Sequence, residues 1–293
     1  MCMEVEKAII LAGGLGTRFL PQTKTMPKAM LPILDKPIIQ LIVEQLADAG
    51  IKEIIIIIRQ GKEVIKEHFE RDLRLERLLQ KFNKYDSLEI VKRIGKLPAI
   101  KFIYQCEDKY GNAVAIAQAR EYLQDGPFMV LWEDAFYKSD PPMAYQLIEA
   151  FRKIKKPLIC VMKDKSRFDK SAYIKAHRLG DSFYRVQDII EKPGKNNMPS
   201  DLFAGTGYIL MPDIFPILSN LPKNKKGEYT LSNALKVFAL GNNLVAFEIE
   251  NAKYIDVGDK AGYLDAILEY AMNDEVLRTQ IMDQVVDYEA GKE

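Results

Sequence analysis

The residues of this chain best suited to chemistry on a phosphate stand in one short run, Ala12-Gly13-Gly14-Leu15-Gly16-Thr17-Arg18. Three glycines in four positions let the backbone turn tightly and present N–H groups to an anion with no side chain in the way. Arg18 adds a planar fork that matches phosphate oxygens. Two familiar phosphate loops are excluded. No Gly-x-x-x-x-Gly-Lys-Ser/Thr string is present, and Phe19 stands where a dinucleotide loop needs its third glycine. Taken alone, the run is either a nucleotide loop of another kind or a glycine-rich strand-to-helix turn without a ligand. Pro21, Thr23, Pro27, Lys28, Leu31 and Pro32 follow at fixed spacing. Prolines cannot continue a helix, so this segment is expected to be extended and rigid. With Lys24, Lys28 and Lys36 beside Arg18, it carries enough positive charge to neutralise a triphosphate.

Two carboxylates complement that cationic arm. Asp134 ends the apolar run 128–132, and Asp256 lies in Tyr254-Ile255-Asp256-Val257-Gly258. Strand-end aspartates suit Mg²⁺, which keeps several waters and takes only one or two protein carboxylates. Spacing alone does not join residues so far apart, and either aspartate is as readily a turn or helix cap. Glu191-Lys192-Pro193 ends another strand-like stretch. The chain holds only two histidines, His68 and His177, which argues against Ser-His hydrolases and His-based zinc sites.

The elements that must position these groups are written in the hydropathy pattern. Apolar runs at 8–11, 53–58, 98–104, 128–132 and 158–162 read as strands, the continuous run at 53–58 being that of a parallel sheet covered on both faces. Helical spacing lies between them, at 37–46, 61–70, 71–83, 112–123 and 142–151. The alternation implies right-handed crossovers and a doubly wound α/β sheet, with ligands at the carboxyl ends of the strands. Beyond 171 the strands shorten, at 172–177, 184–190, 207–211 and 244–249. A polar loop falls at 223–227, and helices are expected at 231–239, 262–272 and 275–288. No linker divides the 293 residues. One domain is expected, with a first half over about 1–170, a second lobe over about 171–260 and C-terminal helices over about 261–293.

Composition narrows the partners. Forty-two basic against 41 acidic residues leave a formal charge of +1, which gives no reason to expect nucleic acid or an anionic membrane. Three scattered cysteines (Cys2, Cys106 and Cys160) form neither a disulfide framework nor a metal knuckle, and point to the cytoplasm. Residues 1–7 include Glu4 and Glu6 and lack the apolar core of a signal peptide.

The long string from Gly13 to Pro32 resembles the sugar-1-phosphate nucleotidyltransferases, most closely the prokaryotic members that make UDP-glucose. The resemblance extends over 8–271. It implies a Rossmann-like fold, mixed but mostly parallel, in which the first half (about 1–170) binds nucleotide and the small β lobe (about 171–260) binds sugar, with UTP and glucose 1-phosphate as substrates, Mg²⁺ as cofactor and a homo-oligomer, dimer or tetramer. It also implies roles. Arg18 and Lys28 would hold the β- and γ-phosphates, Gln105 the base, and Asp134 and Asp256 the metal. Gly111 would pack under nucleotide or sugar, Glu191 would bind sugar hydroxyls, and Lys192 the sugar phosphate. Gly205 and Gly207 flank Thr206, where the family has a glycine, and Lys260 would touch phosphate. Ala135 follows Asp134 where the family usually has Asp or Asn. The segment after Gln105 is short, and Asn233 replaces an aspartate. Those departures leave two alternatives: the same chemistry on another base or sugar (dTTP, N-acetylglucosamine 1-phosphate), or a catalytically silent sensor of nucleotide sugars.

Overall fold

The computed structural model describes residues 3–290, so Cys2 lies outside the described residues. In chain order the strands are β1 Lys7–Ala12, β2 Pro32–Ile33, β3 Lys36–Pro37, β4 Glu53–Ile58, β5 Ala99–Tyr104, β6 Phe128–Trp132, β7 Ala135–Ser139, β8 Leu158–Lys163, β9 Ala172–Gly180, β10 Phe183–Glu191, β11 Leu202–Leu210, β12 Val245–Glu248 and β13 Ala252–Asp256. The helices are α1 Ile38–Asp48, α2 Val64–Phe69, α3 Leu73–Lys81, α4 Tyr85–Ile94, α5 Asn112–Gln118, α6 Arg120–Leu123, α7 Met143–Ile154, α8 Ile214–Ser219, α9 Leu231–Leu240, α10 Lys260–Ala271 and α11 Glu275–Ala290.

Nine strands form one sheet in the order β5-β4-β1-β6-β11-β8-β12-β10-β9. Strands β5, β4, β1 and β6 run parallel. Strand β11 then inserts antiparallel between β6 and β8, so residues late in the chain complete the centre of the sheet. The unbroken apolar runs follow from burial on both faces. Ala8, Ile10 and Ala12 of β1, with Ile54, Ile56 and Ile58 of β4, enter the core under α1 and α7. Ile9, Ile55 and Ile57, one residue out of step, enter the opposite core with residues of α5, α8 and α9. The result is a three-layer α/β/α molecule.

Several details differ from the sequence expectations. The arm after the glycine loop is not extended. It folds into single 3₁₀ turns at Thr17–Phe19, Gln22–Lys24 and Lys28–Met30, the last two preceded by Pro21 and Pro27. A fixed proline φ suits the residue that opens a turn as well as it suits an extended chain, so the spacing did not distinguish them. Helix α4 follows α3 as a second exposed, charged helix outside the expected set, although Leu88, Val91 and Ile94 stand at helical spacing and Leu88 is buried. Strand β7 was also unexpected. It pairs antiparallel with β13 in a separate two-stranded ladder whose register places Asp256 opposite Ala135. Cys106 and Cys160 are free thiols, and His68 bonds through Nε2 to Gln40 Oε1 at 2.8 Å, a structural role as expected.

Candidate active site

Strand β1 delivers the glycine loop at its carboxyl end, as the sheet rule requires. Ala12 closes the strand and is buried, whereas Thr17 opens the first 3₁₀ turn and is exposed. A methyl group added at Gly13 would stand 2.0 Å from Gln105 Oε1, and one at Gly14 would stand 2.8 Å from Glu133 Oε1. The missing side chains therefore let an amide and a carboxylate lie directly against the loop. Gly16 turns the chain with φ 65, and the Thr23 hydroxyl donates to its carbonyl at 2.7 Å. Arg59 Nε donates to the Gly13 carbonyl at 3.2 Å from the neighbouring β4 side.

The β7–β13 ladder supplies what spacing could not, because it carries Asp134 and Asp256 to one point. The Val257 N–H donates to the Asp134 carbonyl at 2.9 Å. A methyl group at Gly258 would stand 2.8 Å from Asp256 Oδ1 and 3.1 Å from Asp134 Oδ2, so the two oxygens are separated by no more than the sum of those distances. Each carboxylate is held by its own cation. Lys28 Nζ donates to Asp134 Oδ2 at 2.6 Å and lies 3.5 Å from Glu133 Oε1. Arg167 Nη2 forms an ion pair with Asp256 Oδ2, and the Gly258 N–H donates to Asp256 Oδ1 at 2.9 Å. Arg18 Nη1 closes the cluster by donating to the Gly258 carbonyl at 3.0 Å.

Burial sets the electrostatics. It tends to lower the Lys28 pKa, but Asp134 and Glu133 outweigh it and raise the value, so Lys28 is a firm cation. Burial also pushes the Glu133 carboxyl up to about 7, with Lys28 pulling the other way. The donor set is chemically right for a hard divalent ion, because two convergent carboxylates leave most coordination positions to water and substrate phosphates.

Two cavities meet at this cluster. One, of about 290 Å³, is lined by Gly13, Gly14, Lys28, Gln105, Gly111 and Glu133 among others. The second, of about 400 Å³, is lined by Arg18, Lys170, Glu191, Lys192, Gly205 and Asp256 among others. Asn112, Trp132 and Asp134 line both, so Asp134 stands on the shared wall. Lys192 adopts φ 46, a left-handed conformation that costs a lysine about 1–2 kcal/mol. Its N–H donates to the Ser171 carbonyl at 3.2 Å, and Glu191 Oε2 accepts from Ser232 Oγ at 3.0 Å.

Some expected residues have a packing reason instead. Gly111, at φ 134, is glycine because an added methyl would stand 2.1 Å from the Tyr229 carbonyl oxygen; its backbone nonetheless lines the first cavity. Gly207 does not reach either cavity lining. It faces Met143 Sδ and Leu147 of α7, at 2.9 and 3.2 Å from an added methyl, within the core. Lys260 is exposed at the start of α10, outside both linings. Lys36 turns away to Glu44, at 2.8 Å. Glu133 and Arg167 went unrecognised in the sequence. Glu133 was legible only as Asp134's neighbour, and Arg167 reaches Asp256 across 89 residues with no local signal.

Comparison with known proteins shows the family. The family described as "Nucleotidyl transferase" matches residues 7–273. A UTP–glucose-1-phosphate uridylyltransferase 2 of Staphylococcus saprophyticus is 40% identical over 281 residues, covering 96% of both chains. A UTP–glucose-1-phosphate uridylyltransferase of Bacillus subtilis is 38% identical over 287 residues, covering 95% of both. A crystal structure of a UDP-glucose pyrophosphorylase complexed with UDP-glucose superposes with a TM-score of 0.83 at 30% identity, over 92% of this chain and 99% of that one.

Proposed function

This chain belongs to the nucleotidyl transferase family, and from that premise we propose that it makes UDP-glucose and pyrophosphate from UTP and glucose 1-phosphate. The observation that carries the reading is the position of Asp134 on the wall between two adjoining cavities, one beside the glycine loop and one beside Glu191-Lys192. A nucleotide in the first and a sugar phosphate in the second would meet at that wall.

The reaction is a single in-line displacement. A sugar-phosphate oxygen forms a bond to the α-phosphorus of UTP as the bond to the bridging oxygen of pyrophosphate breaks. The attacking oxygen is already anionic at neutral pH, so no general base is required, which suits a site without histidine. The chain's own residues position the partners and stabilise charge. Gln105, lying on Gly13, reads the base. Lys28, in the first cavity, holds the outgoing β- and γ-phosphates, and Arg18, which lines the second beside Asp256, joins it from across the shared wall. Lys192 holds the attacking phosphate and Glu191 the sugar hydroxyls. Asp134 and Asp256 would hold a divalent cation, Mg²⁺ in this reading, which neutralises phosphate charge when bound. We read the protein as one catalytic domain, cytoplasmic and a homo-oligomer. No helix among the described residues is long and apolar enough to cross a membrane.

A panel of UTP, dTTP and other nucleotides against glucose 1-phosphate and N-acetylglucosamine 1-phosphate, read by pyrophosphate release, tests the function. UTP with glucose 1-phosphate should be the fastest pair. Faster turnover of dTTP would reassign the base, and nucleotide binding without turnover of any pair would identify a sensor. Within that panel, Lys192→Ala should lower kcat/KM by roughly 10²–10³ while UTP binding holds, because a preorganised charge on the attacking phosphate is lost. Retention of more than about a tenth of the activity, a cost under 1.4 kcal/mol, would remove Lys192 from the site.

A further inference from the structure

Two carboxylates so close repel one another unless cations intervene. Here the compensation comes from two separate segments, Lys28 on Asp134 and Arg167 on Asp256. Together these side chains supply two unit charges, the charge of one divalent ion. Arg167 is otherwise held by aromatic faces, with its guanidinium carbon 4.7 Å from the Tyr254 ring centroid and 5.5 Å from that of Phe203. Its Nε is buried without a hydrogen-bond partner, so the fork is underused in this arrangement.

The segment carrying Arg167 also reaches the sugar side. Lys170 Nζ donates to Asp259 Oδ2 at 2.8 Å, the Phe168 carbonyl accepts from the Gly194 N–H at 3.1 Å, and the Ser171 carbonyl accepts from the Lys192 N–H at 3.2 Å. Residues 167–171 thus form a strap with one end on Asp256 and the other behind Lys192.

We propose that Arg167 is a positioning residue that stands in for the divalent cation: it neutralises Asp256 until the ion arrives, then yields that carboxylate, and its strap carries the change to Lys192. The proposal rests on the reading of this site as a nucleotidyl transferase centre. Its gain is that Asp256 stays correctly placed in the absence of substrate. Its consequence is competition between Arg167 and the metal.

The test is Mn²⁺ titration of the full-length, nucleotide-free protein, followed by loss of the free-ion electron paramagnetic resonance signal, for wild type, Arg167→Met and Arg167→Lys. Removing the competing charge should tighten Mn²⁺ binding by about tenfold or more in Arg167→Met, whereas Arg167→Lys, which keeps the charge, should stay near wild type. Arg167→Met should also raise the KM for glucose 1-phosphate with little change in that for UTP. If Arg167→Met fails to fold cooperatively by circular dichroism, Arg167→Gln, uncharged but still able to donate to Asp256, replaces it with the same expected direction. Unchanged or weaker Mn²⁺ binding in a folded uncharged variant would overturn the stand-in role, and an equal change in both KM values would overturn the strap. A wild-type protein that binds no Mn²⁺ with or without UTP would instead overturn the metal-dependent reading of the site itself.

Discussion

Asp134→Asn is expected to lower kcat/KM by about 10²–10³, Asp256→Asn by a similar factor, and the double variant by little more than either alone. The magnitude follows from the site's task. Phosphoryl chemistry without a covalent intermediate depends on positioning and on neutralising charge as the pyrophosphate leaves. The near-absence of additivity follows from the geometry. Both carboxylates point at the space beside Gly258, and residues that serve one ion lose it together. Asparagine preserves shape, so the fold should survive: the Gly258 N–H can still donate to the remaining oxygen at position 256. The decisive measurement is the Mg²⁺ concentration for half-maximal activity, which should rise in each single variant. Two independent, additive losses with no change in metal requirement would mean that the aspartates act separately and share no ion.

The parts of this molecule that were legible in sequence are those written in local pattern. The runs around Ile9, Ile55 and Val130 announced strands because each residue of a doubly covered strand meets a core, whichever face it takes. The glycine loop was legible because only glycine tolerates Gln105 and Glu133 against the backbone. What stayed hidden depends on long-range pairing. Strand β11 enters the middle of the sheet, and β7 finds β13, through registers that no stretch of sequence encodes by itself. The meeting of Asp134 and Asp256 is a product of that second ladder. Arg167 belongs to the same class, since an arginine in a polar loop gives no sign that it will lie between Tyr254 and Phe203. Gly207 shows the converse: its neighbours in sequence suggest a ligand contact, and what the fold places against it is Met143 and Leu147 of α7.

Lys28→Met should be the most damaging single change, because Lys28 serves stability and chemistry at once. Its side chain is 12% exposed and stands between Glu133, 4% exposed, and Asp134. Lys28 pulls down a Glu133 carboxyl that burial nonetheless pushes up to about 7, so without that cation Glu133 holds its proton at neutral pH, and the full cost of about 3–5 kcal/mol for uncompensated buried charge appears only at higher pH. Activity should fall by a further factor of roughly 10²–10³ in whatever protein remains folded, since a cation facing the departing phosphates is gone. The two effects separate in the double variant Lys28→Met with Glu133→Gln. Glutamine holds that position neutral at every pH, so denaturant unfolding above pH 7 should recover about 2–3 kcal/mol, on the scale of relieving one unsatisfied buried charge, with little recovery at lower pH. Turnover should not recover, because glutamine supplies no positive charge to the triphosphate. Recovery of both would mean that Lys28 acts only as a structural counter-ion to Glu133. No recovery of stability above pH 7 would place the stabilising contact with Asp134 alone, through the 2.6 Å bond between Lys28 Nζ and Asp134 Oδ2.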